Sequence, residues 1–250
     1  MSIDTPRGRS AAYRLPGVLA LALLGGGGIW TAHRAEQDHR SSSVFTPAAR
    51  KLLWLHAGSA DIVVTPGAGA GIRIEREARW VGSRPAAGYS DSGGRIELRD
   101  DCGSAIGVAA SMFAFHDPCS VTYRVTVPQD QAVRLDAGSG DIDITGLRGR
   151  VTASTGSGDV SADGLRGATV RLASGSGDVS AVFERAPTSL RATAGSGDVS
   201  LSVPSGRYAI TASTDSGDRS ISGVTDDPSA AHAIYARTGS GDVSIGRSDG

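Results

Sequence analysis

The sequence predicts an all-β protein, a parallel β-solenoid of 18–20-residue repeats that follows one apolar N-terminal helix. Three observations predict this class. A four-residue motif, Gly-Ser-Gly-Asp, recurs along the C-terminal half of the chain, and apolar and polar residues alternate on both sides of it. The composition, with 35 glycines and 5% aromatic residues, is typical of a fold with many turns and small core side chains.

The motif recurs at a nearly constant interval. Successive aspartates are separated by 18, 19, 20, 20 and 24 residues, and a near-fixed period of this length is typical of repeat architectures. In the fifth copy an aspartate, Asp215, replaces the first glycine. The residues that we expect to form the structural turns are Gly138, Asp141, Gly156, Asp159, Gly175, Asp178, Gly195, Asp198, Asp218, Gly239 and Asp242.

The flanks of the motif predict two strands in each repeat. Apolar residues stand five and three positions before the first glycine, as Val151 and Ala153 do, and at the first and third positions after the aspartate. Alternation with period two is typical of a strand with one buried face. Because glycine tolerates positive φ and an aspartate can accept hydrogen bonds from N–H groups of its own turn, we interpret the motif as a structural corner.

Two arrangements satisfy this pattern. In a solenoid, equivalent strands stack in parallel about 4.8 Å apart, whereas in a meander they pair antiparallel through hairpins under a second sheet. Matching columns favour the solenoid, because each side chain then lies against its own copy in the next coil. Residues 99–119 are predicted to form an irregular excursion. Weaker copies of the repeat are predicted at 52–64, 71–77, 90–98 and 120–128.

The N-terminal region predicts export from the cytoplasm. Arg7, Arg9 and Arg14 precede an apolar run that ends near Ala32, a pattern typical of an uncleaved signal anchor or of a cleaved signal peptide. The positive-inside rule places the C-terminus of an anchored chain outside the cell membrane, and cleavage would release a secreted protein. We therefore expect a cytoplasmic tail at 1–14, a transmembrane helix at 15–32, a linker at 33–50 and an extracytoplasmic repeat domain at 51–250.

Two cysteines, Cys102 and Cys119, lie in the part of the chain that is predicted to be exported. An even number of cysteines in an exported chain favours a disulfide over free thiols. A metal site would need further ligands, and only His116 and Asp117 lie nearby in the sequence. We therefore predict a disulfide between the two cysteines.

Charge and motifs narrow the possible functions. The net charge of −1 is not typical of a protein that binds nucleic acid. The chain has no Gly-x-x-x-x-Gly-Lys loop and no Gly-x-Ser-x-Gly motif, and its five histidines are scattered. We predict no catalytic residue, no metal and no cofactor. A glycan-active solenoid enzyme, with acids along a groove, is a remote alternative.

Calcium binding by the aspartates stays open as a second alternative. Calcium β-rolls use Gly-Gly-x-Gly-x-Asp repeats of nine residues, and the period of this chain resembles two such units. The second turn of each repeat, such as "GLRG" at 146–149, usually lacks an acid. One carboxylate per coil offers few ligands for a calcium ion.

The apolar N-terminal segment, the "GSGDV" repeats, the segment "CSVTYRVTVP" and the final "GSGDVSI" together resemble the DUF4097 family of bacterial β-strand repeat proteins, also labelled "putative adhesins". The resemblance spans residues 45–247 and implies a cell-envelope location, a β-helix-like fold and no established catalytic residues. Asp215 and Arg219 depart from the columns of the repeat and predict a distorted fifth copy.

These observations predict a non-enzymatic cell-envelope protein, an adhesin or surface scaffold. Its expected partners are the membrane, through the N-terminal helix, and a protein or glycan on the exposed face. An accessory role in envelope stress is an alternative that would need a signalling partner, because the tail at 1–14 is short. The outward residues predicted to form a stripe on the exposed face are Arg134, Thr152, Arg171, Arg191, Thr211 and Tyr235.

Overall fold

The computed structural model describes residues 39–48, 50–80, 84–85, 88–92, 95–99 and 119–248. All regular secondary structure in these residues is β, as predicted. The predicted cytoplasmic tail, the predicted transmembrane helix and the first part of the predicted linker lie outside the described residues. None of the residues that are described forms a helix with the length and apolar character needed to cross a bilayer.

The described strands form two ten-stranded sheets. The strands are β1 (His39–Phe45), β2 (Leu52–Ala57), β3 (Asp61–Gly67), β4 (Arg73–Trp80), β5 (Gly88–Ser92), β6 (Arg95–Arg99), β7 (Cys119–Pro128), β8 (Ala132–Ala137), β9 (Ile142–Thr145), β10 (Val151–Thr155), β11 (Val160–Leu165), β12 (Thr169–Ser174), β13 (Val179–Phe183), β14 (Ser189–Ser196), β15 (Val199–Val203), β16 (Arg207–Ser216), β17 (Arg219–Ile221), β18 (Thr225–Asp226), β19 (Ala233–Ser240) and β20 (Val243–Arg247). Sheet I has the order β1-β4-β7-β3-β9-β11-β13-β15-β20-β17, and sheet II has the order β18-β16-β19-β14-β12-β10-β8-β2-β6-β5.

Each Gly-Ser-Gly-Asp motif carries the chain from sheet II to sheet I. β10 precedes its motif and lies in sheet II, and β11 follows the motif and lies in sheet I. The alternating apolar residues of both strands, such as Val151 and Val160, are fully buried and belong to one hydrophobic core. We call each strand–motif–strand unit a coil.

The coils stack in parallel and in register. Val151 pairs with Val133 of the preceding coil and with Val170 of the following one, so each aliphatic column is continuous. All strand pairs between the motif-containing coils are parallel. This part of the molecule is therefore β-solenoid-like, and the antiparallel meander does not describe it.

The C-terminal coil does not lie at the end of the stack. β19 pairs with both β14 and β16, and β20 pairs with both β15 and β17. The expectation that each coil lies against the next in sequence is therefore wrong here. Arg219 gives the physical reason, because it occupies the column that Val243 fills with a buried side chain. At the end of the stack Arg219 is exposed to solvent, and a polar terminal coil is what a solenoid requires.

The N-terminal strands depart from parallel stacking. β4 pairs antiparallel with β1 and β7, and β5 pairs antiparallel with β6, so both sheets are mixed. The segment at 90–98, predicted to be a degenerate copy of the repeat, contributes to a β5–β6 pair that stays within sheet II. Its chain does not cross to sheet I as the motif-containing coils do. Most of the predicted excursion at 99–119 lies outside the described residues.

The predicted linker at 33–50 contains a strand. β1 pairs along its whole length with β4, and the rings of His39 and Trp80 stack with their centroids 5.7 Å apart. Phe45, at the end of β1, stacks on Tyr89 with a centroid distance of 4.3 Å. His39–Phe45 therefore forms an edge strand within the segment predicted as a linker, and its backbone pairs with β4 although its sequence lacks apolar alternation.

Candidate binding face

The outward side of sheet II carries a continuous column of cationic, aromatic and hydroxyl side chains. Strand alternation directs these residues away from the core, because six of them lie between two buried positions and the other two, Arg95 and Thr211, each precede one. We call this set the outer column. Its members, in stacking order, are Arg95, Trp54, Arg134, Thr152, Arg171, Arg191, Tyr235 and Thr211.

The outer column brings together all six residues of the predicted stripe and adds two that sequence reasoning missed. Trp54 stands four positions before Gly58, as Arg134 stands four before Gly138, so the repeat alignment could have found it. Arg95 lies opposite Trp54 in β6, a strand without a recognisable motif after it. No pattern in the sequence assigns Arg95 to this face.

Cation–π contacts hold arginine and aromatic side chains together near both ends of the outer column. The guanidinium carbon of Arg134 lies 4.7 Å from the ring centroid of Trp54, and that of Arg95 lies 5.3 Å from the same centroid. Near the other end, the guanidinium carbon of Arg191 lies 4.0 Å from the ring centroid of Tyr235. Such contacts stabilise the arginine and aromatic side chains in fixed relative positions.

The carboxylate of Asp136 offsets the positive charge of Arg134 in the part of the face around Trp54. Its carboxylate accepts hydrogen bonds from Trp54 Nε1 at 2.6 Å, from Ser154 Oγ at 2.8 Å and from Arg134 Nε at 3.0 Å. Burial alone would raise the pKa of Asp136, but these hydrogen bonds favour the ionised form and lower the pKa below its usual value. Arg134 is therefore paired with a carboxylate on its own strand.

The middle of the face lacks such a carboxylate. Arg171 and Arg191 are register partners on adjacent strands, and both side chains are exposed. Within the described part of the chain, Arg150, Arg171 and Arg191 have no ion pair with an acidic side chain. The next cation along the face, Arg237, is paired with Asp215 at 3.1 Å. Three unpaired cations thus lie together on one side of the stack.

The predicted turn aspartates form a hydrogen-bonded ladder along one edge of the stack. The backbone N–H of each aspartate donates to Oδ1 of the aspartate in the neighbouring coil, at distances between 2.8 and 3.1 Å. The expectation that each carboxylate bonds within its own corner is thereby corrected, because the neighbouring coil approaches closely enough to supply the donor. The ladder runs Asp61, Asp141, Asp159, Asp178, Asp198, Asp242 and Asp218.

The motif glycines are required mainly by close approach between coils. A Cβ atom on Gly158 would lie 2.3 Å from the carbonyl oxygen of Gly140, and one on Gly177 would lie 2.2 Å from that of Gly158. Within the motif, positive φ occurs only at Gly197, Gly217 and Gly241 among the described residues. The positive-φ explanation therefore holds for three copies, and interatomic contact explains the others.

A column of buried hydroxyl groups, which sequence reasoning missed, joins the corners. Thr155 Oγ1 donates to the carbonyl oxygen of Gly140 at 2.9 Å and accepts from the N–H of Gly158 at 3.2 Å. Ser174 makes the equivalent contacts one coil later, at 2.7 and 2.8 Å. The sequence signal is a Thr or Ser directly before the first motif position, which occurs at 155, 174, 214 and 238.

The ladder borders a cleft of about 360 Å³ that is lined by acidic and serine side chains. Burial raises the pKa of Asp143 in this cleft, and the charges of Asp141, Asp61 and Asp159 raise it further. Among the described residues, no group of three or more His, Cys, Asp or Glu side chains is arranged to hold a metal ion.

The predicted disulfide lies partly outside the described residues. Cys119 begins β7 and packs, partly buried, against the hydrophobic core. Cys102 is not among the described residues, so the pairing of the two cysteines stays a prediction.

Comparison with known proteins identifies the family. The family model described as Toastrack DUF4097 matches residues 51–181 and 131–250. A solved structure of a "putative cell adhesion protein" from Clostridium sporogenes is 13% identical, with a TM-score of 0.50, and the match covers 85% of this chain and 100% of that one. A "putative adhesin" from Bacteroides fragilis is 12% identical, with a TM-score of 0.48, over 85% of this chain and 99% of that one. No curated protein matches the chain. At these identities the likeness to solved structures is one of fold, and the family match shows that the chain belongs to the Toastrack DUF4097 family.

Proposed function

We propose that the protein is a non-enzymatic adhesion or scaffold module of the cell surface, and that it binds its partner through the outer column of sheet II. One observation carries this proposal. The outer column continues without interruption over eight strands, because coils of 18–20 residues repeat the same outward position in register. Such a surface can contact an extended partner along the whole stack.

Two further points support an adhesive role. The similar solved structures are named as a "putative cell adhesion protein" and a "putative adhesin". The outer column is rich in Arg, Trp and Tyr, the residue types that are enriched where proteins bind one another. The apolar N-terminal run supports attachment to the membrane with the C-terminus outside, or secretion if the run is cleaved.

The test compares two sets of serine substitutions in the full chain. The first variant, R134S/R171S/R191S, removes the arginines of the outer column between Trp54 and Tyr235. The second variant, R148S/R185S, removes exposed arginines that line a separate cleft beside Asp130 and Glu184. Beads coated with each protein are added to intact cells of the strain that carries the sequence, and retained beads are counted.

We expect the outer-column variant to lose retention, because these substitutions remove charge from the proposed contact surface. The cleft variant should be retained as the unaltered protein is, and this result separates a local effect from a general loss of positive charge. Equal loss in both variants, or no retention of the unaltered protein, would contradict the proposed function.

A further inference from the structure

We propose that the middle of this face, formed by Arg150, Arg171, Arg191 and Tyr235, binds an acidic polysaccharide through its carboxylate groups. This inference rests on the proposed function and names the class of partner. It also concentrates binding on three members of the outer column, Arg171, Arg191 and Tyr235, and on Arg150 beside them.

Arg171 and Arg191 are placed directly opposite each other on adjacent parallel strands. Strands in a sheet lie about 4.8 Å apart, and like charges in opposite positions destabilise a sheet. The outward neighbours of these arginines carry no acid that could offset the repulsion. Those neighbours are Thr169, Ala173, Ser189 and Thr193. An external anion can supply the missing negative charge.

The third cation, Arg150, lies one residue before β10 and is exposed. It flanks Arg171 from the preceding coil, because Val151 pairs with Val170 in the two strands. Three guanidinium groups from three successive coils therefore face the same solvent region. A guanidinium group binds a carboxylate with two parallel hydrogen bonds, so this spacing suits a chain that carries carboxylates at regular intervals.

The uncharged groups of this region favour a sugar chain over other polyanions. Hydroxyl side chains of Thr152, Thr193 and Ser189 lie at outward positions around the arginines and can exchange hydrogen bonds with sugar hydroxyls. Tyr235 is partly exposed, and Arg191 packs at 4.0 Å from its ring centroid. An aromatic ring that is held in place offers an apolar surface to a sugar ring with little loss of conformational entropy.

The other end of the outer column differs from its middle, because the arginine there is paired with a carboxylate. Arg134 occupies the equivalent position on β8, but Asp136 accepts a hydrogen bond from it at 3.0 Å. Its charge is already offset, and its side chain is held over Trp54. An acidic polysaccharide therefore gains less from Arg134 than from Arg171 or Arg191.

The experiment measures binding of the full chain to polygalacturonate, a linear polymer with one carboxylate per sugar. Two further probes are the methyl-esterified form of the same polymer, which lacks the charge, and inorganic polyphosphate, which lacks the sugar. The proteins compared are the unaltered chain, R171Q/R191Q and the control R148Q/R185Q, which removes two exposed arginines outside the outer column. Circular dichroism and thermal unfolding check that each variant is folded.

We expect polygalacturonate to bind and the methyl ester to bind far more weakly. R171Q/R191Q should weaken binding about tenfold or more, because two charge-assisted contacts are lost. R148Q/R185Q should weaken it less than about twofold, because both arginines are exposed and lie outside the outer column. Raising sodium chloride from about 0.05 M to about 0.5 M should weaken binding to the unaltered chain, because salt screens exposed charges.

Three results would overturn the inference. These are equal binding of polygalacturonate and its methyl ester, equal or tighter binding of polyphosphate, and an effect of R148Q/R185Q as large as that of R171Q/R191Q. Retention of coated beads on cells is measured in parallel. If the unaltered protein is retained on cells but does not bind polygalacturonate, the proposed class of partner is wrong. The proposed adhesive function is not contradicted by that result.

Discussion

The backbone N–H of Asp159 donates a hydrogen bond of 2.9 Å to Oδ1 of Asp141 in the preceding coil. The same contact recurs from Asp61 to Asp218, so each aspartate between these two ends accepts a hydrogen bond from one neighbouring coil and donates one to the other. The aspartates thereby join corners that the glycines allow to approach. This dual use explains why the motif keeps an acid in every copy, although a row of carboxylates is repulsive.

The ladder predicts different outcomes for two substitutions of Asp178. Asp178→Ala removes the acceptor of the Asp198 N–H, and we expect unfolding free energy to fall by about 1–2 kcal/mol. Asp178→Asn keeps an oxygen that can accept this bond and reduces repulsion within the ladder, so its effect should be clearly smaller. Urea unfolding of both variants measures the difference. If Asp178→Ala and Asp178→Asn lower the free energy of unfolding equally, the hydrogen bond to Asp178 is not the cause of the loss.

The close contact between corners predicts a severe effect of Gly158→Ala. The added Cβ would lie 2.3 Å from the carbonyl oxygen of Gly140 and 2.6 Å from its carbonyl carbon, and backbone atoms cannot move aside without separating the coils. We expect a loss of at least about 3 kcal/mol in unfolding free energy. Gly71→Ala is the matched control, because no atom lies within 4 Å of its added Cβ. Equal thermal unfolding of the two variants would contradict the close approach.

Asp136 predicts a pH-dependent contribution to stability. Its pKa is lowered in the folded state, so its stabilising effect is present above the unfolded pKa of about 3.9 and is lost as the pH falls through the folded pKa. Asp136→Asn should lower stability by about 1–2 kcal/mol at pH 7, with a change in Trp54 fluorescence. The difference from the unaltered protein should shrink below about pH 4.

The control for this prediction is Asp215→Asn, because Asp215 is 63% exposed and its ion pair with Arg237 lies at the surface. Exposed pairs contribute little to stability. A destabilisation by Asp136→Asn that is independent of pH would refute the explanation from the hydrogen-bonded carboxylate.

The raised pKa of Asp143 predicts a contribution to stability with the opposite pH dependence from that of Asp136. Burial, and then the charges of Asp141, Asp61 and Asp159, raise its pKa in the folded state, so ionisation of Asp143 opposes folding. Asp143→Ser introduces the residue found at this position in later coils and should raise the melting temperature at pH 7. The gain should disappear below about pH 4, where Asp143 is neutral in both states. Asp163→Ser, at an exposed position outside the ladder, should give no such pH-dependent gain.

The sequence predicts the repeated part of the fold because its columns carry the information that stacking needs. Val133, Val151 and Val170 occupy one position of the repeat and are register partners in the structure. The order of the coils was not predictable in the same way. Every coil offers nearly the same aliphatic columns to a neighbour, so pairing alone does not distinguish one neighbour from another. Only Arg219 marks the coil that must face solvent.

The binding face was predicted where the repeat is regular and missed where it is not. The repeat alignment predicts the outward position from Arg134 to Tyr235. The same position in the weaker N-terminal copy is Trp54, which pairs with Arg134. The pairing of Arg134 with Asp136, and the absence of a carboxylate beside Arg171, depend on side-chain rotamers and on contacts between strands. The pattern of apolar and polar residues does not contain that information.

The most direct test of in-register stacking uses two pairs of introduced cysteines. Ser200 and Ser244 are register partners with their Oγ atoms 3.1 Å apart, whereas β20 separates Ser200 from Ser220. Adjacent strands bring Cα atoms within the range of about 4.4–6.8 Å that a disulfide spans, and strands two apart do not. Each double variant is oxidised mildly, and mass spectrometry identifies the linked peptides. In-register stacking predicts a link between positions 200 and 244 and none between 200 and 220, and the reverse result would contradict this stacking.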